Sequence, residues 1–202
     1  RWINEASVRL HATLDELTVV REAVALVTGY LGTAMGACLL RDPHDDQFRV
    51  VAVDGYEQGK PSFKTALYPR NLLIDRASRA GGLLEIEDIT ESLADLPVER
   101  DRLLEMGICS LVLLVLSYRG EELGVIGLNF RERMSLGPSD RETLQAFGKT
   151  VSLALANARQ ADDLEHQAQH DSLTGLPNRA HLHAVFDEWL TGRNHAPGNA
   201  IR

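Results

Sequence analysis

Two apolar runs joined by one tight turn constrain this fold more than any other feature of the chain. Residues 108–116 contain a single polar residue between Ile108 and Leu116, which is Ser110, and residues 123–130 follow after a short polar turn. Strands of this kind lack the alternation of a half-exposed sheet, so both faces of the hairpin must be covered. The sequence therefore predicts a central antiparallel hairpin with other elements packed on each side.

Long helices are predicted at both ends of this sheet. Residues 2–31 form one uninterrupted helical pattern, and residues 138–170 form a second. Apolar residues in both recur at alternating steps of three and four, which is the spacing of a heptad seam. The seam positions of greatest interest are Leu10, Leu17, Val24 and Leu31 in the first helix and Leu144, Val151 and Ala158 in the second.

Two interpretations of these seams stay open. The helices either pack against each other and the sheet within one subunit, or they pair across a homodimer. The dimer is favoured because each helix is longer than a single sheet requires.

The remaining elements are shorter. Strands are predicted over 35–41 and 48–53, as a hairpin, and over 83–86, while short helices are predicted over 71–80 and 99–106. Residues 56–70 contain Gly59, Pro61 and Pro69 and are predicted to be mostly loop. The fold class that results is α+β, with an antiparallel sheet flanked by long N- and C-terminal helices and a short helical extension at the C-terminus.

Composition excludes some classes of function. The net charge of −8 argues against a nucleic-acid-binding surface, and the longest apolar run is far shorter than the roughly 20 residues that span a bilayer. Cys38 and Cys109 both lie in apolar segments and are predicted to be free buried thiols. Two thiols without a disulfide favour a cytoplasmic protein.

The order of elements, together with three segments, resembles that of a GAF domain. These segments are 106–116 (MGICSLVLLVL), 123–128 (LGVIGL) and the alanine-rich helix that ends in ALANAR at 154–159. The resemblance covers residues 15–160. It implies a pocket for a small molecule on one face of the sheet, formed by residues 56–107 and the central hairpin.

Five polar residues are candidates for lining such a pocket. They are Tyr68, Asp88, Arg100, Arg102 and Ser110. The alternative is that the three charged residues are simply solvated at the surface and that the other two make ordinary hydrogen bonds in the core.

The sequence does not favour the best-known ligands of this family. Cyclic-nucleotide members resemble one another in a scattered signature, of which Asn129 and Asp140 match the ends while Phe130, Leu136 and Arg141 do not match. Bilin-binding members attach their chromophore through a cysteine, often in a Cys-His pair, and this chain has no Cys-His dipeptide. Cys109 is therefore interpreted as a packed strand residue.

A metal site is not favoured either. His166 and His170 stand four residues apart on the second long helix, which is a spacing that can hold a metal, but no third ligand is evident. No resident cofactor is expected.

The segment 171–179 (DSLTGLPNR) resembles the opening motif of GGDEF domains, which are diguanylate cyclases that make cyclic di-GMP from two GTP molecules with Mg²⁺. In that family the motif is structural and sets the turn from the connecting helix into the catalytic domain. Its matching positions here are Asp171, Leu173, Thr174, Leu176, Asn178 and Arg179.

Only 23 residues follow Arg179, and none of them matches a catalytic position of the cyclase. We expect the chain to be the front of a longer signalling protein and to have no cyclase activity of its own. The expected organisation is an N-terminal helix at 1–32, a GAF core at 33–160, a connecting helix at 161–170 and the start of a GGDEF domain at 171–202.

Three functions follow from these resemblances. The first is a dimeric small-molecule sensor that regulates a diguanylate cyclase, and the second is a GAF fold that serves only as a dimerisation spacer. The third is a self-contained GAF enzyme such as the methionine sulfoxide reductases of this fold. That activity requires reactive, accessible cysteines, whereas Cys38 and Cys109 are predicted inside strands.

Overall fold

The computed structural model describes residues 2–33, 35–42, 45–55, 67–69, 72–169, 174, 176–178, 182, 183 and 186. The chain divides into two compact units, residues 1–158 and residues 159–202.

The first unit is built on an antiparallel sheet, which has six strands in the described part of the chain. The strands are β1 (Met35–Arg41), β2 (Gln47–Asp54), β3 (Leu67–Pro69), β4 (Leu83–Ile86), β5 (Ser110–Tyr118) and β6 (Glu121–Phe130). Their spatial order is β3-β2-β1-β6-β5-β4, so the predicted apolar hairpin β5–β6 lies inside the sheet. The α+β fold class predicted from the sequence is confirmed.

The helices divide between the two faces of the sheet. One face carries α1 (Trp2–Leu10), α2 (Glu16–Leu31) and α6 (Pro138–Gln169), and the other carries α3 (Leu72–Arg79), α4 (Ile89–Ser92) and α5 (Pro97–Glu105). Even-numbered residues of β5, such as Val112 and Leu114, pack with the first group, whereas Leu111 and Leu113 pack with the second. Both faces of the hairpin are therefore covered, as its composition requires.

The prediction of one helix over residues 2–31 is wrong, because α1 and α2 are separate helices. The Oδ1 atom of Asp15 accepts a hydrogen bond of 2.7 Å from the amide of Thr18 and caps the start of α2. An N-cap residue has an extended backbone, which interrupts the helix even where the apolar spacing continues across the break. The heptad pattern therefore continues across two separate helices, which both pack against the same core.

The seam residues of both long helices pack inside the chain's own core. Leu10, Val24, Leu144, Val151 and Ala158 are all buried against the sheet or neighbouring helices. This packing matches the single-subunit interpretation of the seams.

Two seam positions differ from the others. Leu31 is half-buried against the same core, and Leu17 remains 43% exposed. The pairing of two copies stays a prediction, and Leu17 is the one seam residue with a large exposed surface.

Aromatic residues connect the three helices α1, α2 and α6 on one face of the sheet. The ring of Trp2 lies 4.4 Å from that of Tyr30 and 5.2 Å from that of Phe147, centroid to centroid. The hydroxyl of Tyr30 donates a 2.8 Å hydrogen bond to Asp140 in the first turn of α6. These contacts tie α1, α2 and α6 into one layer.

Neither Cys38 nor Cys109 forms a disulfide bond. The prediction that Cys109 is buried inside a strand is wrong, because β5 begins only at Ser110. Cys38 is fully buried in the core between the sheet and helices α1, α2 and α6, and Cys109 is half-buried just before β5. None of the described helices combines the length and apolar character needed to cross a bilayer.

Candidate ligand-binding site

An apolar cavity of about 110 Å³ lies on the face of the sheet that carries α3, α4 and α5. Its floor consists of residues from the four central strands, and its walls come from α3 and from the end of α5. The lining residues are Ala37, Leu39, Val50, Leu73, Ile74, Arg102, Leu103, Met106, Leu111, Leu113, Val125, Gly127 and Asn129.

The space exists partly because two floor residues are small. Ala37 on β1 and Gly127 on β6 stand directly opposite each other in the ladder. A Cβ atom at Gly127 would meet only Leu113 Cδ2, at an ordinary contact distance of 3.5 Å. Larger side chains at these two positions would occupy the cavity instead of bounding it.

Two polar side chains contribute to an otherwise apolar lining. Asn129 lies near the end of β6 and is buried, and Arg102 lies on α5 and is exposed to solvent. An apolar cavity with a few polar groups is the usual design of a small-molecule site, because burial supplies affinity and the polar groups fix orientation.

Of the four predicted pocket residues whose side chains the structure describes, Arg102 alone lies on the cavity wall. Ser110 has the same parity as Val112 and donates a 2.6 Å hydrogen bond to the backbone oxygen of Glu132. It is buried and satisfied in the core, which was the alternative interpretation for this residue.

Asp88 and Arg100 serve other contacts. Asp88 caps α4 and forms an ion pair with Arg133. Arg100 pairs with Asp101 beside it on α5, with 2.8 Å between Arg100 Nη2 and Asp101 Oδ1. The backbone of Tyr68 pairs with Phe48 in the β2–β3 ladder, and its side chain lies outside the described residues.

The sequence does not predict the apolar floor of the cavity, and it marks Asn129 only as one end of a cyclic-nucleotide signature that otherwise fails. The available signal was parity: Asn129 shares a strand face with Val125 and Gly127, opposite to Ile126 and Leu128. A buried amide on the less crowded face of a central strand is a candidate site residue.

The capping of α4 makes stability sensitive to acid at Asp88. Asp88 Oδ1 accepts one hydrogen bond from the hydroxyl of Thr90 and another, of 2.8 Å, from the backbone amide of Thr90. These bonds, together with the positive charge of Arg133, lower the pKa of the Asp88 carboxyl despite its desolvation. A folded-state pKa below the unfolded value stabilises the fold above about pH 4, and this contribution is lost as the pH falls through the folded-state pKa.

We therefore expect Asp88→Asn to lower the free energy of unfolding at pH 7 and to flatten its decline below about pH 4. Urea unfolding across pH 2.5–7 measures both effects. Asp163→Asn, which removes an exposed carboxylate on α6, is the matched control and should leave the slope unchanged. Equal slopes for Asp88→Asn and the unsubstituted protein would refute the assigned role of Asp88.

No group of three His, Cys, Asp or Glu side chains in the described part of the chain is arranged to hold a metal ion. His166 lies on an exposed stretch of α6, and His170 falls outside the described residues.

The segment that resembles the GGDEF opening motif belongs to the second unit. The backbone N–H of Asn178 donates a 2.8 Å hydrogen bond to the backbone oxygen of Gln169, and Nδ2 of its side chain donates to the backbone oxygen of Ala168. These bonds satisfy carbonyls that the end of α6 leaves without helical partners. Thr174 Oγ1 accepts a long 3.4 Å bond from the amide of Leu176, which is exposed. The motif positions Asp171, Leu173 and Arg179 lie outside the described residues.

Comparison with models of known protein families identifies the GAF domain, whose family model matches residues 15–155. A search of curated protein sequences gave no match.

Solved structures with this fold are similar at low sequence identity. The chromophore-binding domain of an unusual bacteriophytochrome from R. palustris matches with a TM-score of 0.66 and 15% identity, over 80% of this chain and 62% of that one. The phycoerythrobilin-bound GAF domain of a cyanobacterial phytochrome matches with a TM-score of 0.65 and 16% identity, over 80% and 96%. The GAF domain of an Acinetobacter phosphoenolpyruvate-protein phosphotransferase matches with a TM-score of 0.63 and 12% identity, over 79% and 93%. The chain thus spans about three fifths of the first of these structures.

Proposed function

This chain belongs to the GAF domain family, and from that premise we propose that it is a regulatory sensor domain that binds a small molecule in the cavity between the sheet and helices α3 and α5. The single observation that carries the proposal is the cavity itself, with its apolar floor and the polar groups of Asn129 and Arg102. A dimerisation spacer without a ligand would be expected to fill this space with its own side chains.

The size and lining of the cavity define the class of ligand. An engineered apolar cavity of roughly 150 Å³ holds a benzene molecule, so a cavity of about 110 Å³ suits a ligand of similar or smaller body. The ligand would place its apolar part over Val125 and Leu113 and a polar end toward Asn129 or Arg102. Phycoerythrobilin, which one of the similar structures holds, is far larger than this cavity and is not proposed as the ligand.

We further propose that the domain regulates a diguanylate cyclase that follows it. The support is the segment 171–179, which resembles the opening of GGDEF domains, and the continuous helix α6, which leads from the sensor toward it. The cyclase would bring the GTP and Mg²⁺ chemistry. A ligand could change the output only by binding two arrangements of the connecting helix with different affinity.

Thermal unfolding with a graded set of small probes tests the ligand proposal. Toluene, phenol and benzoate share one ring and differ only in its substituent, which is apolar, polar and charged, respectively. A probe whose free concentration is 100 times its Kd for the folded state stabilises that state by about 2.7 kcal/mol. We expect at least one probe to raise the midpoint of unfolding in a saturable manner and Gly127→Met to remove that rise. No rise with any probe, in a protein that unfolds cooperatively, would count against the cavity as a ligand site of this class.

The sensor is also proposed to act as a homodimer through its helical layer. Leu17 on α2 is 43% exposed and Leu153 on α6 is 40% exposed, although both helices bury their other apolar face in the core. Single exposed leucines are common on monomers, so the interface proposal depends on Leu17 and Leu153 belonging to one apolar surface of the helical layer. The dimer would therefore use the outer faces of α2 and α6 instead of the buried seams.

We expect Leu17→Glu and Leu153→Glu to raise the dimer dissociation constant at least about tenfold each, since a buried charge at an interface is costly. Sedimentation equilibrium measures the constant. Val98→Glu is the matched control, because Val98 is a 77% exposed residue on α5, on the opposite face of the sheet. A monomer at all concentrations, or an equal effect of the control, would contradict the interface.

A further inference from the structure

Three carboxylates in one short segment hold the connection that leads into α6. This segment, Glu85 to Asp88, comprises the end of β4 and the two residues that join it to α4, and the connection runs from Arg131 to Gly137 between β6 and α6. Glu87 accepts a 2.7 Å hydrogen bond from the hydroxyl of Ser135, and Asp88 pairs with Arg133. Together these contacts form a strap between the two segments.

Glu85 makes the most extensive contact of the strap. Its Oε2 atom accepts from both Nε and Nη2 of Arg141, at 2.9 and 2.6 Å, and its Oε1 atom accepts from the amide of Leu136. The Glu85 side chain is only 12% exposed. Both guanidinium donors converge on one oxygen of this largely buried carboxylate, and its other oxygen holds the Leu136 amide, so Glu85 sets the position of the first turn of α6.

The other side of the same segment contacts the cavity wall. Ile86 lies between Glu85 and Glu87, pairs with Leu111 in the β4–β5 ladder, and packs with Leu73 in a small apolar cluster. Leu111 and Leu73 both line the cavity. Side chains of a strand alternate between faces, so a displacement of Ile86 must also move the carboxylates on either side of it.

We propose that this strap transmits occupancy of the cavity to α6, with Glu85 as the positioning residue that acts through Arg141. The proposal rests on the proposed ligand-binding function and names how that site is read out. Occupancy shifts Leu111 and Leu73, these shift Ile86, and Glu85 then moves the start of α6. A thermodynamic cycle between the cavity and Glu85 tests this coupling.

Amide hydrogen exchange of α6 supplies the readout, and Gly127→Met serves as a permanent occupant of the cavity. We expect Gly127→Met to change the exchange rates of amides 140–144 by at least about threefold, and Glu85→Gln by about tenfold. In the double variant the effect of Gly127→Met should vanish, because the connection is already broken. Arg141→Gln should reproduce Glu85→Gln, and the two should not add.

The controls separate the strap from general loosening. Glu105→Gln removes one charge from an exposed position at the end of α5 and should leave amides 140–144 unchanged. An equal effect of Gly127→Met with and without Glu85→Gln would overturn the strap as the route. No effect of Gly127→Met at α6 in either background would overturn the coupling itself. Ligand binding is judged independently, by the thermal shift with ring probes, and stands or fails on that result.

Discussion

Gly124→Ala is expected to lower the free energy of unfolding by about 3 kcal/mol. Gly124 lies on β6 between β1 and β5, and it pairs with Leu40 on one side and Leu116 on the other. A Cβ atom there would overlap the backbone oxygen of Leu39 and stand 3.1 Å from Leu40 Cα. Backbone atoms in the middle of a sheet cannot rotate away as a side chain can, so the strands must separate.

The same substitution three residues along the strand is the matched control. At Gly127 a Cβ atom has ordinary contact with Leu113, and alanine restricts the unfolded chain more than glycine does. Gly127→Ala should therefore leave the stability unchanged or raise it by up to about 1 kcal/mol. Urea unfolding of both variants measures the difference, and equal stabilities would refute the assigned packing of β1 against β6.

Gly127→Met is expected to abolish binding in the cavity while the protein stays folded. The methionine side chain would start from the floor of the cavity and extend among apolar groups such as Leu113 and Val125. Methionine is unbranched and adapts to irregular space, so it can fill the cavity without forcing the strands apart.

Xenon provides a direct probe of this cavity, because it enters dry apolar cavities and is followed by ¹²⁹Xe NMR. The unsubstituted protein and Gly127→Ala should both show saturable xenon binding, and in Gly127→Met the affinity should fall at least about tenfold. Undiminished xenon binding by a folded Gly127→Met protein would show that the gas occupies another site.

Much of this fold could be predicted from the sequence because its strongest signals are local. The apolar hairpin and the two long helical patterns fixed the layers, and turn residues placed the shorter strands. The break between α1 and α2 was missed because the apolar spacing runs through it, and only the capping bond of Asp15 interrupts the helix. Periodicity shows that a helix face is buried but not which surface buries it, so the seams alone do not distinguish packing within one subunit from pairing across a dimer.

The site was harder to predict than the fold, for a physical reason. A cavity is defined by space that side chains leave unfilled, and that space depends on which residues of distant segments meet. Ala37 and Gly127 are 90 residues apart in the chain and opposite each other in the sheet. The sequence marks polar residues such as Asp88 and Ser110 as candidate ligand contacts, but their hydrogen bonds form a helix cap and a loop anchor instead.

Native mass spectrometry of the purified, undenatured protein tests the central claim most directly. If the cavity is a sensor site, the unsubstituted protein carries a small non-covalent adduct that is released on denaturation, and Gly127→Met purified in parallel lacks it, while Gly127→Ala retains it. An adduct bound equally by Gly127→Met and the unsubstituted protein would contradict the account, because the ligand would then occupy a surface other than this cavity.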